Sequence, residues 1–181
     1  MRRALVGVMG SGSEEHRERA EALAEILAAL PVNLLTGGGG GVMTSVSRAF
    51  AEHPGRQGLV IGVLPSREDD PLHRPKPGYP NPWVEVVIRT HLPYSGARGT
   101  DPLSRNHVNV LSSDAIVVLP GGAGTASEAA LALSYRRPAI GFLEPGELPG
   151  LPEALPWTLD PERVRRFLEA ALAGNSTAGE P

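Results

Sequence analysis

The sequence contains no cysteine, which excludes disulfides, thiolate metal sites and cysteine nucleophiles and leaves no sign of an oxidising compartment. Lysine is nearly missing too. Lys76 is the one lysine among 17 basic residues, set against 20 acidic ones for a formal net charge of -3. A chain of that balance has no general attraction for nucleic acid or anionic membranes, so any phosphate it binds must be held locally. No apolar run approaches the roughly twenty residues that span a bilayer. Ala4 to Met9 is too short for a secretory core and runs into Gly10-Ser11-Gly12-Ser13 and then acids. These absences predict a cytoplasmic protein with no membrane and no nucleic-acid partner. There is no internal repeat, and the five histidines are scattered, so no metal site is expected.

What the chain has in quantity is glycine and proline, 22 and 18 in 181 residues, gathered at turns between periodic segments. That length suits one domain, here residues 1–173, followed by a tail over residues 174–181. Strands are predicted at Ala4 to Met9, Val32 to Leu35, Gly58 to Leu64, Trp83 to Thr90, Ala115 to Val118 and Ala139 to Leu143, the fourth near a sheet edge. Helices are predicted from Glu14 to Leu30, Val42 to Glu52, Pro102 to Ser112, from Gly124-Thr125 to about Tyr135, and from Pro161 to Ala173. On the third of these Val108 and Leu111 are expected to face inward. Residues 65–82 read as a long irregular excursion, and residues 146–157 as a proline-rich linker. The alternation predicts a single Rossmann-like α/β domain, an open and mostly parallel sheet with helices on both faces.

Three glycine-bearing turns stand where strands lead into helices. The first is Gly10-Ser11-Gly12-Ser13, where the serines suit a phosphate or ribose, or else cap the next helix, Ser11 with Glu14. The second is Thr36 followed by Gly37, Gly38, Gly39, Gly40 and Gly41, then Val42 and Met43. Five glycines cost conformational entropy and contribute no packing, which implies that something approaches this backbone closely. The third is Pro120, Gly121, Gly122, Ala123, Gly124 and Thr125, whose amides at a helix start suit a phosphate. Glu128 stands one turn on, near any sugar carrying it. Thr125-x-x-Glu128 also reads as a capping box, a purely structural pairing. The first turn is not G-x-G-x-x-G and no acid ends the second strand, which argues against a dinucleotide and for a mononucleotide or similar phosphate ester.

With these turns placed, the chain resembles the Lonely Guy family of phosphoribohydrolases, long mislabelled as lysine decarboxylases. Pro120 to Glu128 fits the motif PGGxGTxxE, Thr36 to Met43 is similar to TGGGPGIM, and Arg105 lies fifteen residues ahead of Pro120, where the family has its catalytic arginine. The resemblance implies hydrolysis of the N-glycosidic bond of a nucleoside 5′-monophosphate such as AMP, without metal or redox cofactor, and a homodimer or higher homo-oligomer. Glu128 would stabilise the positive ribose or position water, Arg105 would hold phosphate or ribose, and the glycine turns with Thr125 would bind phosphate. Asn106, Ser127 and the long segment from Pro65 to Ser104 depart from that pattern. The forms Ser104-Arg105-Asn106 and Gly124-Thr125-Ala126-Ser127-Glu128 are more similar to a branch of molybdenum-cofactor carriers and nucleotide-binding proteins. The second reading is therefore a non-catalytic carrier or sensor of a phosphorylated ligand such as a pterin phosphate. One physical feature agrees with a dimer: Ala129 to Leu133 is apolar nearly all round its helix and needs cover on more than one face, from a second copy or from the rest of the monomer.

Overall fold

The computed structural model describes residues 2–176. Seven strands, all parallel where they pair, form one sheet: β1 (Ala4–Met9), β2 (Val32–Thr36), β3 (Val60–Leu64), β4 (Val86–Arg89), β5 (Ala115–Val118), β6 (Ala139–Phe142) and β7 (Trp157–Thr158). Their order is β4-β3-β2-β1-β5-β6-β7. The strand alternation divides two cores. Val6, Val8, Leu34, Val60, Ala115 and Val117 face α1 (Arg17–Ala28), α2 (Val42–Glu52) and α5 (Pro161–Ser176). Met9, Ile116, Val118 and Ala139 face α3 (Asn106–Ser112), α4 (Ala123–Ser134) and Leu148 and Leu155 of the segment after β6. Both faces of the central strands are thus buried, which is why they read as unbroken apolar runs. The expected Rossmann-like single domain is the fold observed.

Chain order reverses between β1 and β5, because β2 to β4 lie on one side of β1 and β5 to β7 on the other. Strand ends splay apart at such a reversal and leave a crevice at their carboxyl ends. The turns after β1 and β5 meet there, and the turn after β2 stands beside them.

Several boundaries differ from expectation, each for a local reason. α1 begins at Arg17 instead of Glu14, because the Ser11 hydroxyl accepts from the amides of Ser13 and Glu14 in a free-standing turn and His16 takes a left-handed φ of 40°. α3 begins only at Asn106, and its inward residues are Asn106, Asn109 and Val110, whereas Leu111 is exposed. β7 went unseen within the proline-rich stretch, since two residues show no periodicity. β4 is the sheet edge, as expected. The excursion after β3 contains no helix and no named strand. Asp70 orders its middle by accepting from the Arg74 side chain and from the amides of Leu72 and Arg74, which holds its carboxyl down at about 2. α5 continues through Ser176, past the expected start of the tail, and residues 177–181 lie outside those described. Among the described residues no helix is long and apolar enough to cross a membrane.

Candidate ligand cleft at the strand reversal

A cleft of about 330 Å³ opens at the crevice, near the lower end of the range for small-molecule sites. Backbone hydrogen bonds tie the turns that build it. Ser11 donates its amide to the Pro120 carbonyl at 2.9 Å, and its own carbonyl accepts from the Val42 amide at 2.9 Å. Ser11 is therefore a knot between the starts of α2 and α4. Its hydroxyl is spent on the turn over Ser13 and Glu14, ahead of a helix whose N-cap is His16, so the helix-capping reading of Ser11 is overturned, while Ser13 remains exposed at the cleft.

α4 starts with Gly122 as its N-cap, and Ala126 already donates back to the Gly122 carbonyl at 3.0 Å. Thr125 is thus inside the first turn and not the cap. The capping-box reading of Thr125 and Glu128 is overturned. Instead Gly122, Gly124 and Thr125 line the cleft, at the positive end of a 12-residue helix whose first amides have no carbonyl behind them. Gly121 cannot carry a side chain, because a Cβ there would strike the Thr125 hydroxyl and the Ser11 amide.

The polyglycine turn does have close neighbours, and they are parts of the protein itself. A Cβ at Gly37 would land on the Arg105 guanidinium, one at Gly38 on Leu64, one at Gly39 on the Tyr79 ring and one at Gly41 on the Ser11 carbonyl. Of the run, only Gly37 lines the cleft, joined by Met43 from α2. Thr36, Gly38, Gly39, Gly40, Gly41, Pro120 and Gly121 stand behind the lining. Thr36 is fully buried and accepts from the Gly38 amide at 3.1 Å.

Arg105 and Glu128 are brought together, as the resemblance implied. Arg105 is 4% exposed and Glu128 7%, with the Arg105 Nη1 4.0 Å from the Glu128 Oε1. Asn109, one turn beyond Arg105, donates through Nδ2 to the same carboxylate oxygen at 3.1 Å. Burial pushes the Glu128 carboxyl above its ordinary range, against the opposing pull of Arg105 and Asn109. The guanidinium is poorly satisfied, its Nε and Nη1 being buried without a hydrogen-bond partner. Folded proteins rarely leave such groups unpaired.

Sequence reasoning missed Asn109 beside the carboxylate and, in the lining, Tyr79, Ser95 and Gly96. The last two belong to the loop before α3, which packs onto the start of α4: a Cβ on Gly124 would lie 3.1 Å from the Gly96 Cα, and one on Gly99 would strike Asn106 and Ser127. No local pattern foretells these contacts.

Fold and cleft together define a Rossmann-like α/β protein with a small cleft at its strand reversal. The chain belongs to the SLOG cluster4 family, whose model matches residues 3–157, and so to the Lonely Guy-like superfamily. An uncharacterised protein of Archaeoglobus fulgidus is 30% identical over 148 residues, 81% of this chain and 84% of that protein. Among solved structures, the molybdenum cofactor binding protein of Rippkaea orientalis is 28% identical with a TM-score of 0.69, covering 95% of this chain and 99% of that one. The molybdenum cofactor carrier protein of Chlamydomonas reinhardtii is 26% identical with a TM-score of 0.65 and the same coverage.

Proposed function

We propose that this protein binds a small phosphate ester in the cleft and carries it without turnover, with a phosphorylated pterin as the ligand class. The observation that carries the reading is Arg105, a buried guanidinium lining the cleft with two nitrogens that lack partners. A phosphate in the cleft would be drawn to that charge, and the open amides at the start of α4 would share it. The likeness to a cofactor binding protein and a cofactor carrier along nearly their whole length supports the same reading.

The second reading, a nucleoside monophosphate phosphoribohydrolase, is favoured by one observation: the Glu128 carboxyl lines the same cleft. Stabilising a positive ribose requires that carboxyl to be ionised. Burial opposes ionisation here, and a phosphate beside Arg105 would draw away part of the charge that counters it. That physical conflict places the carrier first.

Incubating the protein with AMP, measuring adenine release by chromatography, and titrating AMP and a pterin phosphate by calorimetry separates the readings. Binding without release is the expected result. Release that disappears in Glu128→Gln would establish the hydrolase instead. Arg105→Ala should weaken either ligand by roughly 10- to 150-fold, the loss of hydrogen bonds to a charged group. Gly37→Ala should weaken it too, since the added Cβ displaces the guanidinium without removing it. Full affinity in both variants would sink the cleft as the site. The homodimer implied by the resemblance belongs to this reading. Leu111 and Tyr135, exposed near the ends of α3 and α4, are consistent with it, and light scattering measures it directly.

A further inference from the structure

We propose that Tyr79 is the residue by which the cleft selects phosphate esters that carry a flat heteroaromatic ring, through stacking of that ring on its own. The inference rests on the cleft reading above and adds a specificity element from the proline-rich excursion. Tyr79 is the one aromatic side chain among the residues lining the cleft. Its ring lies on the polyglycine turn, where a Cβ on Gly39 would fall 2.7 to 2.8 Å from Cζ, Oη and Cε1.

The segment carrying the ring is fastened to that same turn. Asn81 donates its amide to the Gly38 carbonyl at 2.8 Å and its side-chain Nδ2 to the Gly39 carbonyl at 3.0 Å, and it is itself buried. The Tyr79 amide donates to the Lys76 carbonyl at 3.2 Å. An aromatic wall held this way is preorganised, so little ordering entropy is lost when a ligand meets it.

Placement relative to the anion anchor gives the ligand its size. Gly37 touches Arg105 and Gly39 touches Tyr79. Gly38 alone separates those glycines, whose Cα atoms lie at most about 7 Å apart. A molecule whose ring and phosphate are joined through a few bonds can reach both, as a nucleoside monophosphate or a pterin alcohol phosphate does. A bare sugar phosphate reaches only the arginine.

The test uses the full chain and calorimetric titration with AMP, a pterin alcohol phosphate and ribose 5-phosphate. Tyr79→Ala should weaken at least one of the two ring-bearing ligands by about 5- to 150-fold, the range for losing one base-aromatic stack, and ribose 5-phosphate by less than about twofold. Tyr79→Phe should keep the affinity for the ring-bearing ligand, and Gly39→Ala, which pushes the ring from its seat, should reproduce the alanine effect in part. Equal losses for all three ligands in Tyr79→Ala would overturn the proposal, as would a Tyr79→Phe loss as large as that of alanine, which would assign a hydroxyl hydrogen bond instead. Undiminished binding in Arg105→Ala overturns that residue as the phosphate anchor and not the stacking role. Wild-type protein that binds neither ring-bearing ligand overturns both.

Discussion

Arg105 and Glu128 are legible by type and spacing, yet what each can do depends on surroundings that no spacing reveals. Glu128 has its ordinary range near 4.5 in the unfolded chain and is raised in the fold, chiefly by burial. A raised carboxyl favours the protonated form of the native state. Its contribution to stability is therefore full below the unfolded value and is lost as pH climbs through the folded value. The neutral amide introduced by Glu128→Gln mimics the protonated carboxyl and can still accept from Asn109. Thermal unfolding should show the variant matching the wild-type chain near pH 4 and unfolding at a higher midpoint near pH 8, by about 2–4 °C per kcal/mol in a chain of this size. A variant less stable than wild type at pH 8 would mean that the charge pair with Arg105 outweighs burial, and the upward shift of Glu128 would have to be abandoned.

At the scale of elements, the polyglycine run and the loop before α3 are held in place by contacts distant in sequence. The need for small residues in the run was readable; the identity of the crowding groups was not, since Arg105 and Tyr79 arrive from segments tens of residues away. The same holds for Gly99, which meets Asn106 and Ser127. Strands β1 and β5 and helix α2 were recognisable because burial on both faces or one face writes a simple pattern. The two-residue β7 and the late start of α1 escaped because their causes are a tertiary edge and a left-handed His16. The Gly99 contact leaves no room for a longer side chain at position 127. Ser127→Glu should therefore lift residues 95–99 from α4. Limited proteolysis should cut the loop faster, with a loss of about 1–3 kcal/mol typical of overpacking. Ser127→Ala, which loses only the hydroxyl's bond to the Ala123 carbonyl, should be cut no faster than wild type. Equal cleavage of the wild type and Ser127→Glu would show that the loop is held elsewhere.

At the scale of the whole molecule, the proposed site hangs on the central strands of the sheet. β1 and β5 sit mid-sheet with most of their residues buried, and their carboxyl ends carry the turns that line the cleft. β4 lies at the edge with all four residues exposed. Central amides should exchange hydrogen only through global unfolding, whereas edge amides exchange through local opening. A ligand that binds only the native state, supplied at 100 times its dissociation constant, adds about 2.7 kcal/mol to the global unfolding free energy. Exchange in β1 and β5 should then slow by about 100-fold on adding saturating ligand, while exchange in β4 stays nearly constant. Uniform slowing across the sheet would mean that β4 opens only with the rest, making the edge part of the same cooperative unit. Unchanged exchange in β1 and β5 under conditions where calorimetry reports binding would mean that these strands open while the ligand stays bound. That outcome would place the ligand away from the strand reversal, because a ligand seated on those strand ends must leave before they open.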